Sequence, residues 1–116
     1  MATQQRGKRG EGIAAAALAK AGYRIVARNW RCALGELDVI AQQGDEIVFV
    51  EVRARYDGIE AALESIGPRK QQRLIRLAEA YLAAHRLDVA YRIDVVVVDL
   101  SAQPPSVEII ENAVGW

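Results

Sequence analysis

The 116 residues carry 15 basic and 15 acidic side chains, are 52% hydrophobic and 26% charged, and so have no net charge to announce a nucleic-acid or membrane-surface partner. That length suits a single domain over 1–116 that buries a core without disulfides or a structural metal. No run approaches the roughly 18 apolar residues of a membrane span, Cys32 has no companion for a disulfide or zinc spacing, and the basic N-terminus leads into alanines rather than a secretory core, so a cytoplasmic protein without membrane contact is expected.

Residues 1–7 are expected to be a flexible lead. From about Lys8 to Ala21, the residues Ile13, Ala14, Ala17, Leu18 and Ala21 recur at helical spacing, and Gly22 stops the helix. YRIVARNW, from Tyr23 to Trp30, alternates imperfectly and reads as a strand. Leu34 to Gln42 and Glu46 to Arg53 are further strands, joined as a hairpin by Gly44-Asp45. A loop from Tyr56 to Gly67 leads to Pro68, which suits a first helical turn because its missing N–H would be unpaired there anyway. The second helix runs to about Arg86, with Leu74, Leu77, Ala78, Tyr81 and Leu82 on its apolar face. YRIDVVVVDL is an apolar strand interrupted by Asp94, SAQPPS a loop, and VEII a short last strand. The order α-β-β-β-α-β-β, with its first three strands too tightly joined for parallel crossovers, predicts an α/β fold: a central mixed sheet flanked by helices.

The hairpin collects its charges far from its turn. With Gly44 and Asp45 as the two central residues of a type I′ or II′ turn, paired positions have numbers that sum to 89. Asp38 then stands opposite Glu51, and Glu36 opposite Arg53, on one face with Arg55 just beyond. Leu37, Val39, Val50 and Val52 fall on the other face and read as core. Two opposed carboxylates repel unless neutralised, and Mg²⁺ prefers such oxygen ligands together with water and phosphate oxygens. A metal held by Asp38 and Glu51 is one reading. The other is a solvated face, with Glu36–Arg53 as a cross-strand ion pair and Asp38 relieved by Arg55 or water.

GEGIAAAALAKAGYRIVARNWR, then GELDVIA, FVEVRAR, PRKQQRL and RIDVVVV, resembles in that order the small uncharacterised YraN family of bacteria, over nearly the whole chain. That resemblance implies a restriction-endonuclease-like fold of the PD-(D/E)XK nucleases, similar to archaeal Holliday junction resolvases. It further implies Asp38 and Glu51 as the metal-binding acids, the carbonyl of Val52 as a further ligand of Mg²⁺ or Mn²⁺, and Glu11 as a third acid from the first helix. The function implied is metal-dependent phosphodiester hydrolysis in DNA, in preference to RNA, with branched DNA among the substrates. The motif lysine is Arg53 in this chain, and a guanidinium is no general base, so Arg53 is left to orient water, to stabilise charge or to pair with Glu36.

Other candidates come from the residues themselves. Lys8 and Arg9 in the N-terminal basic cluster, Arg55, and Arg69, Lys70 and Arg73 after Pro68 are candidate nucleic-acid contacts. Cations in a first helical turn oppose the helix dipole, and a bound phosphate would offset that. Glu11 also suits a helix N-terminus, and Glu36 reads as an aid to the metal or, in preference, as an anchor for Arg53. His85, at a helix end, reads as structural, and Asp94 is left open between capping a neighbouring element and facing the site. No nucleotide loop, nucleophile triad or zinc spacing is present. A non-catalytic nucleic-acid-binding module of the same fold and a homodimeric assembly protein using VEIIENAVGW are the alternatives.

Overall fold

A computed structural model describes residues 2–114, with side chains described from Gly7 onward. The elements are α1 (Ala2–Lys20), β1 (Arg24–Cys32), β2 (Gly35–Gln43), β3 (Glu46–Arg55), α2 (Ile59–Glu64), α3 (Pro68–Ala84), β4 (Tyr91–Asp99) and β5 (Ser106–Ile110). The strands form one sheet in the order β1-β2-β3-β4-β5, parallel between β3 and β4 and antiparallel elsewhere. The parallel pair follows from the chain: the β3–β4 connection carries two helices and is long enough to cross over, whereas the other strand connections are turns or short loops.

The expected mixed sheet with flanking helices is therefore present. One element differs, because α2 lies inside the expected loop of residues 56–67. It is a six-residue helix that buries only Ala62, too little for helical periodicity to register in the sequence. The first helix begins at Ala2 rather than Lys8 and so takes in the backbone of residues 2–7, the lead expected to be flexible; Met1 and the side chains of residues 2–6 lie outside the described residues.

Helices cover both faces of the sheet. On one, Ala14 and Leu18 of α1 pack on Val39, Val48, Val50, Val96 and Val98. On the other, Leu74, Leu77, Ala78, Tyr81 and Leu82 of α3 pack on Ile40, Phe49, Ile93 and Val95, and these five are the apolar face expected of that helix.

The hairpin register is the expected one, from Gln43↔Glu46 to Val39↔Val50. Gly44 has φ 59 whereas Asp45 does not have positive φ, which selects type II′ with glycine in its first central position. Beyond Val39↔Val50 the two strands part. β2 continues along β1 through Leu37↔Trp30 and Glu36↔Arg31, while β3 continues along β4 from Glu51↔Val95 to Arg55↔Asp99.

A second irregularity lies at the same level. Arg28↔Val39 and Trp30↔Leu37 place Asn29 opposite Asp38, and Asn29 has φ 54. Ala27 and Trp30 pack on the α3 side, as do their partners Ile40 and Leu37, so both strands break alternation here; β1 also breaks it between Ile25, on the α1 side, and Ala27, where its register with β2 shifts by one residue. Leu37 thus sits on the face opposite Val39, Val50 and Val52, which corrects the expectation that all four share one face.

Candidate functional site

Where β2 and β3 part, a cavity of about 290 Å³ opens between the sheet, α1 and α3. Glu11 enters it from α1, Glu36 and Asp38 from β2, Glu51, Val52 and Arg53 from β3, and Lys70 and Arg73 from α3. The lost ladder leaves the Val52 amide without a strand partner on this side. It donates to Asp38 Oδ2 at 2.8 Å.

Glu51 is only 5% exposed and is held by two cations: Arg53 Nη2 lies 3.2 Å and Lys70 Nζ 3.3 Å from its Oε2. Lys70 comes from the first turn of α3, which starts on Pro68. On the other side Asn29 Nδ2 donates to Glu11 Oε1 at 2.7 Å and to Glu36 Oε1 at 3.1 Å, and Arg31 Nε contacts Glu36 Oε2 at 2.5 Å. One carboxylate oxygen from each of Glu11, Glu36 and Asp38 lies within 4.8 Å of the others. Glu11 reaches this point because α1 crosses β3 closely: Gly10 is buried, and a Cβ there would overlap the Cβ of Ala54.

The acids outnumber the cations that serve them. Burial and then the neighbouring Glu51 charge push the Asp38 carboxyl up from 3.8 to about 8, with Glu11 adding to the rise and the Val52 amide opposing it. Lys70 and Arg53 are engaged with Glu51, and Arg31 with Glu36, so the shortage of positive charge falls on Asp38. Closely set carboxylates on a partly buried floor, with no nitrogen or sulfur ligand among them, suit a hard divalent cation such as Mg²⁺ or Mn²⁺.

Glu11, Asp38, Glu51, Val52, Arg53, Lys70 and Arg73 are thus brought together. Lys8 borders an adjoining cavity with Glu11, Asn29, Arg31 and Glu36, while Arg9 is exposed and lines neither space. Arg69 lines a separate basic groove with Arg73. Arg55 lies outside the cavity, bonded through Nε and Nη2 to the carboxylate of Asp57 at 2.9 and 2.7 Å, so it does not relieve Asp38. The expected Glu36–Arg53 pair is also absent. The strands have separated at that level, so Arg31 of β1 takes Glu36 and Glu51 takes Arg53.

Sequence reasoning missed Asn29, Arg31 and Gly10. The one local signal was Asn29, a residue type that tolerates left-handed backbone, set inside a stretch that reads as a strand. Outside the site, the His85 ring stacks on Tyr81 at 4.0 Å, in keeping with a structural role. Asp94 is fully buried and faces away from the cavity, accepting from the Tyr23 hydroxyl at 2.9 Å, Arg92 Nε at 3.0 Å and the Asn112 amide at 2.8 Å. In the C-terminal VEIIENAVGW, Val114 is buried in the core, and Gly115 and Trp116 lie outside the described residues. No described helix is long and apolar enough to cross a membrane.

Comparison with known proteins gives one consistent result. The model of the uncharacterised protein family UPF0102 matches residues 10–98. A UPF0102 protein of Chloroflexus aurantiacus is 55% identical over 92 residues, covering 78% of this chain and 75% of that protein. One of Moorella thermoacetica is 48% identical over 117 residues, covering 97% and 98%, and one of Stutzerimonas stutzeri is 40% identical over 114, covering 96% and 95%.

Proposed function

This chain belongs to the UPF0102 family, the YraN-type family its motifs resemble, and we propose that it is a metal-dependent nuclease of the PD-(D/E)XK kind, hydrolysing phosphodiester bonds in DNA. The observation that carries this reading is the Asp38 carboxyl, held beside Glu51 where β2 and β3 part and lacking a cation of its own. Asp38 and Glu51 would hold Mg²⁺ or Mn²⁺, with the Val52 carbonyl as a further oxygen ligand and Glu11 and Glu36 bordering the site. The metal, when bound, supplies Lewis acidity toward a phosphoryl oxygen and toward water.

The chain's own groups supply the rest. Lys70, rather than the residue two after Glu51, brings an ammonium to the site at 3.3 Å from Glu51. Lys70 thus adds, from α3, a second cation beside Glu51 to the one that Arg53 supplies from β3. Arg53 keeps its positive charge beside Glu51, and its buried Nε has no acceptor among the described residues, a donor left for an anionic oxygen. Arg73, on the rim, would position the phosphate. DNA in the cytoplasm suits a chain with one cysteine and no described helix able to cross a membrane.

The test is a Mn²⁺ titration by calorimetry of the wild type and of Asp38→Ala/Glu51→Ala, with single-stranded, duplex and branched DNA and RNA assayed on the same samples. Binding and cleavage lost together in the double variant are the expected result. Mn²⁺ binding without cleavage of any substrate would leave a nucleic-acid-binding module with a lost activity, and no binding in the wild type would overturn the metal site.

A further inference from the structure

Beside the acidic cavity lies a second opening of about 500 Å³, walled by Arg69, Gln72, Arg73 and Arg76 of α3 and by Ala33 and Leu34 of the β1–β2 turn. No carboxylate lines it. The three arginines are spaced as i, i+4 and i+7 on one exposed helix face, and none has an ion pair among the described residues. Such spacing sets like charges against one another, and Arg69 in the first turn also opposes the helix dipole. Nothing in the described chain offsets that repulsion, and an anion would.

Two further features say which anion. Arg73 lines this groove and the acidic cavity alike, so the two adjoin at that side chain. Leu34, at the turn facing the arginines, is 47% exposed, an apolar contact beside a cationic wall. A row of phosphates with sugars and bases between them has that pattern; a free phosphate has no use for Leu34. We propose that the groove seats a polynucleotide strand next to the bond held at Asp38 and Glu51, with Arg69, Arg73 and Arg76 on consecutive phosphates and Leu34 against a sugar or base. The inference rests on the nuclease reading for the identity of the neighbouring site.

The experiment measures binding of a fluorescent single-stranded oligonucleotide in chelator, where nothing is cut, as a function of salt. Replacing Arg69 and Arg76 with alanine should weaken binding about tenfold or more and lower the slope of log affinity against log salt by about 1.4, at roughly 0.7 per phosphate contact. Arg69→Lys/Arg76→Lys should keep the slope, which separates lost charge from lost fold, and Leu34→Ser should weaken binding with the slope unchanged. Wild-type affinity and slope in the alanine variant would overturn the groove, as would polyglutamate competing as well as the oligonucleotide. If the wild type binds through these arginines but cuts nothing in Mn²⁺, the hydrolytic reading fails and the groove stands. If it cuts, and the alanine variant cuts with unchanged KM, the groove fails and hydrolysis stands.

Discussion

Asp38 accepts a hydrogen bond from the amide of Val52, 2.8 Å away, in place of the ladder bond that β2 would make if it stayed paired with β3. One side chain thus satisfies an amide exposed by the parting of two strands, and by doing so it is drawn to the floor of an acidic cavity. Burial there, beside Glu51, disfavours the charged form of the carboxyl.

Stability should fall as pH rises through the neutral range in chelator. The Asp38 carboxyl titrates near 8 when folded, against 3.8 ordinarily, so between those values the folded state binds more protons than the unfolded one. This contribution is complete below about pH 4 and is lost as pH climbs toward 8. Asp38→Asn can still accept the Val52 bond, so it should flatten the profile and raise Tm at pH 8 by about 5 °C or more. Parallel wild-type and variant melting profiles from pH 4.5 to 8.5 would refute the assignment.

Mn²⁺ binding should expel a proton. At pH 7 most of the Asp38 population is neutral, and a ligating carboxylate must be ionised, so calorimetry in buffers of different ionisation enthalpy should report about one proton released, falling toward zero by pH 9. Asp38→Asn should release none. A buffer-independent heat at pH 7 would place the cation elsewhere.

Lys70→Ala should separate cleavage from metal binding. The substitution frees Glu51 from one of its two cations, so Mn²⁺ affinity should hold or rise, while cleavage falls on the order of 10² to 10³-fold. Arg53→Ala is the comparison. Should Arg53→Ala abolish cleavage while Lys70→Ala leaves it intact, the guanidinium is the essential cation and the role given to Lys70 is wrong.

Gly10→Ala should destabilise the fold by about 1–3 kcal/mol, as overpacking does, because its Cβ meets that of Ala54 where α1 crosses β3. Adding Ala54→Gly should return part of that loss. Urea unfolding of the two single variants and the double variant measures it, and additive losses would mean the contact is not the cause. The same contact holds Glu11 over the sheet, so Mn²⁺ affinity should follow stability in this series.

Much of this arrangement was legible before folding was considered. Gly44-Asp45 between alternating hydrophobics specifies a two-residue turn, the turn sets pairing as far as Val39↔Val50, and Asp38 and Glu51 are the residues immediately beyond that last pair. The buried face of α3 from Leu74 to Leu82 was readable for the same reason, since periodicity along a long helix is local information. Helix α2 was not readable, because six residues with one buried side chain carry too little period.

The sequence by itself determined the hairpin, its register, the order of the main elements and the acids available to a cation, because turn chemistry and side-chain alternation act between near neighbours. Only the tertiary structure decided how those acids are served. Where β2 leaves β3 depends on β1 and β4 each claiming one of the strands, which is why Glu36 meets Arg31 instead of Arg53. How α3 docks depends on Leu74 and Leu77 settling on the sheet, and that docking carries Lys70 to Glu51 across a separation no local pattern encodes.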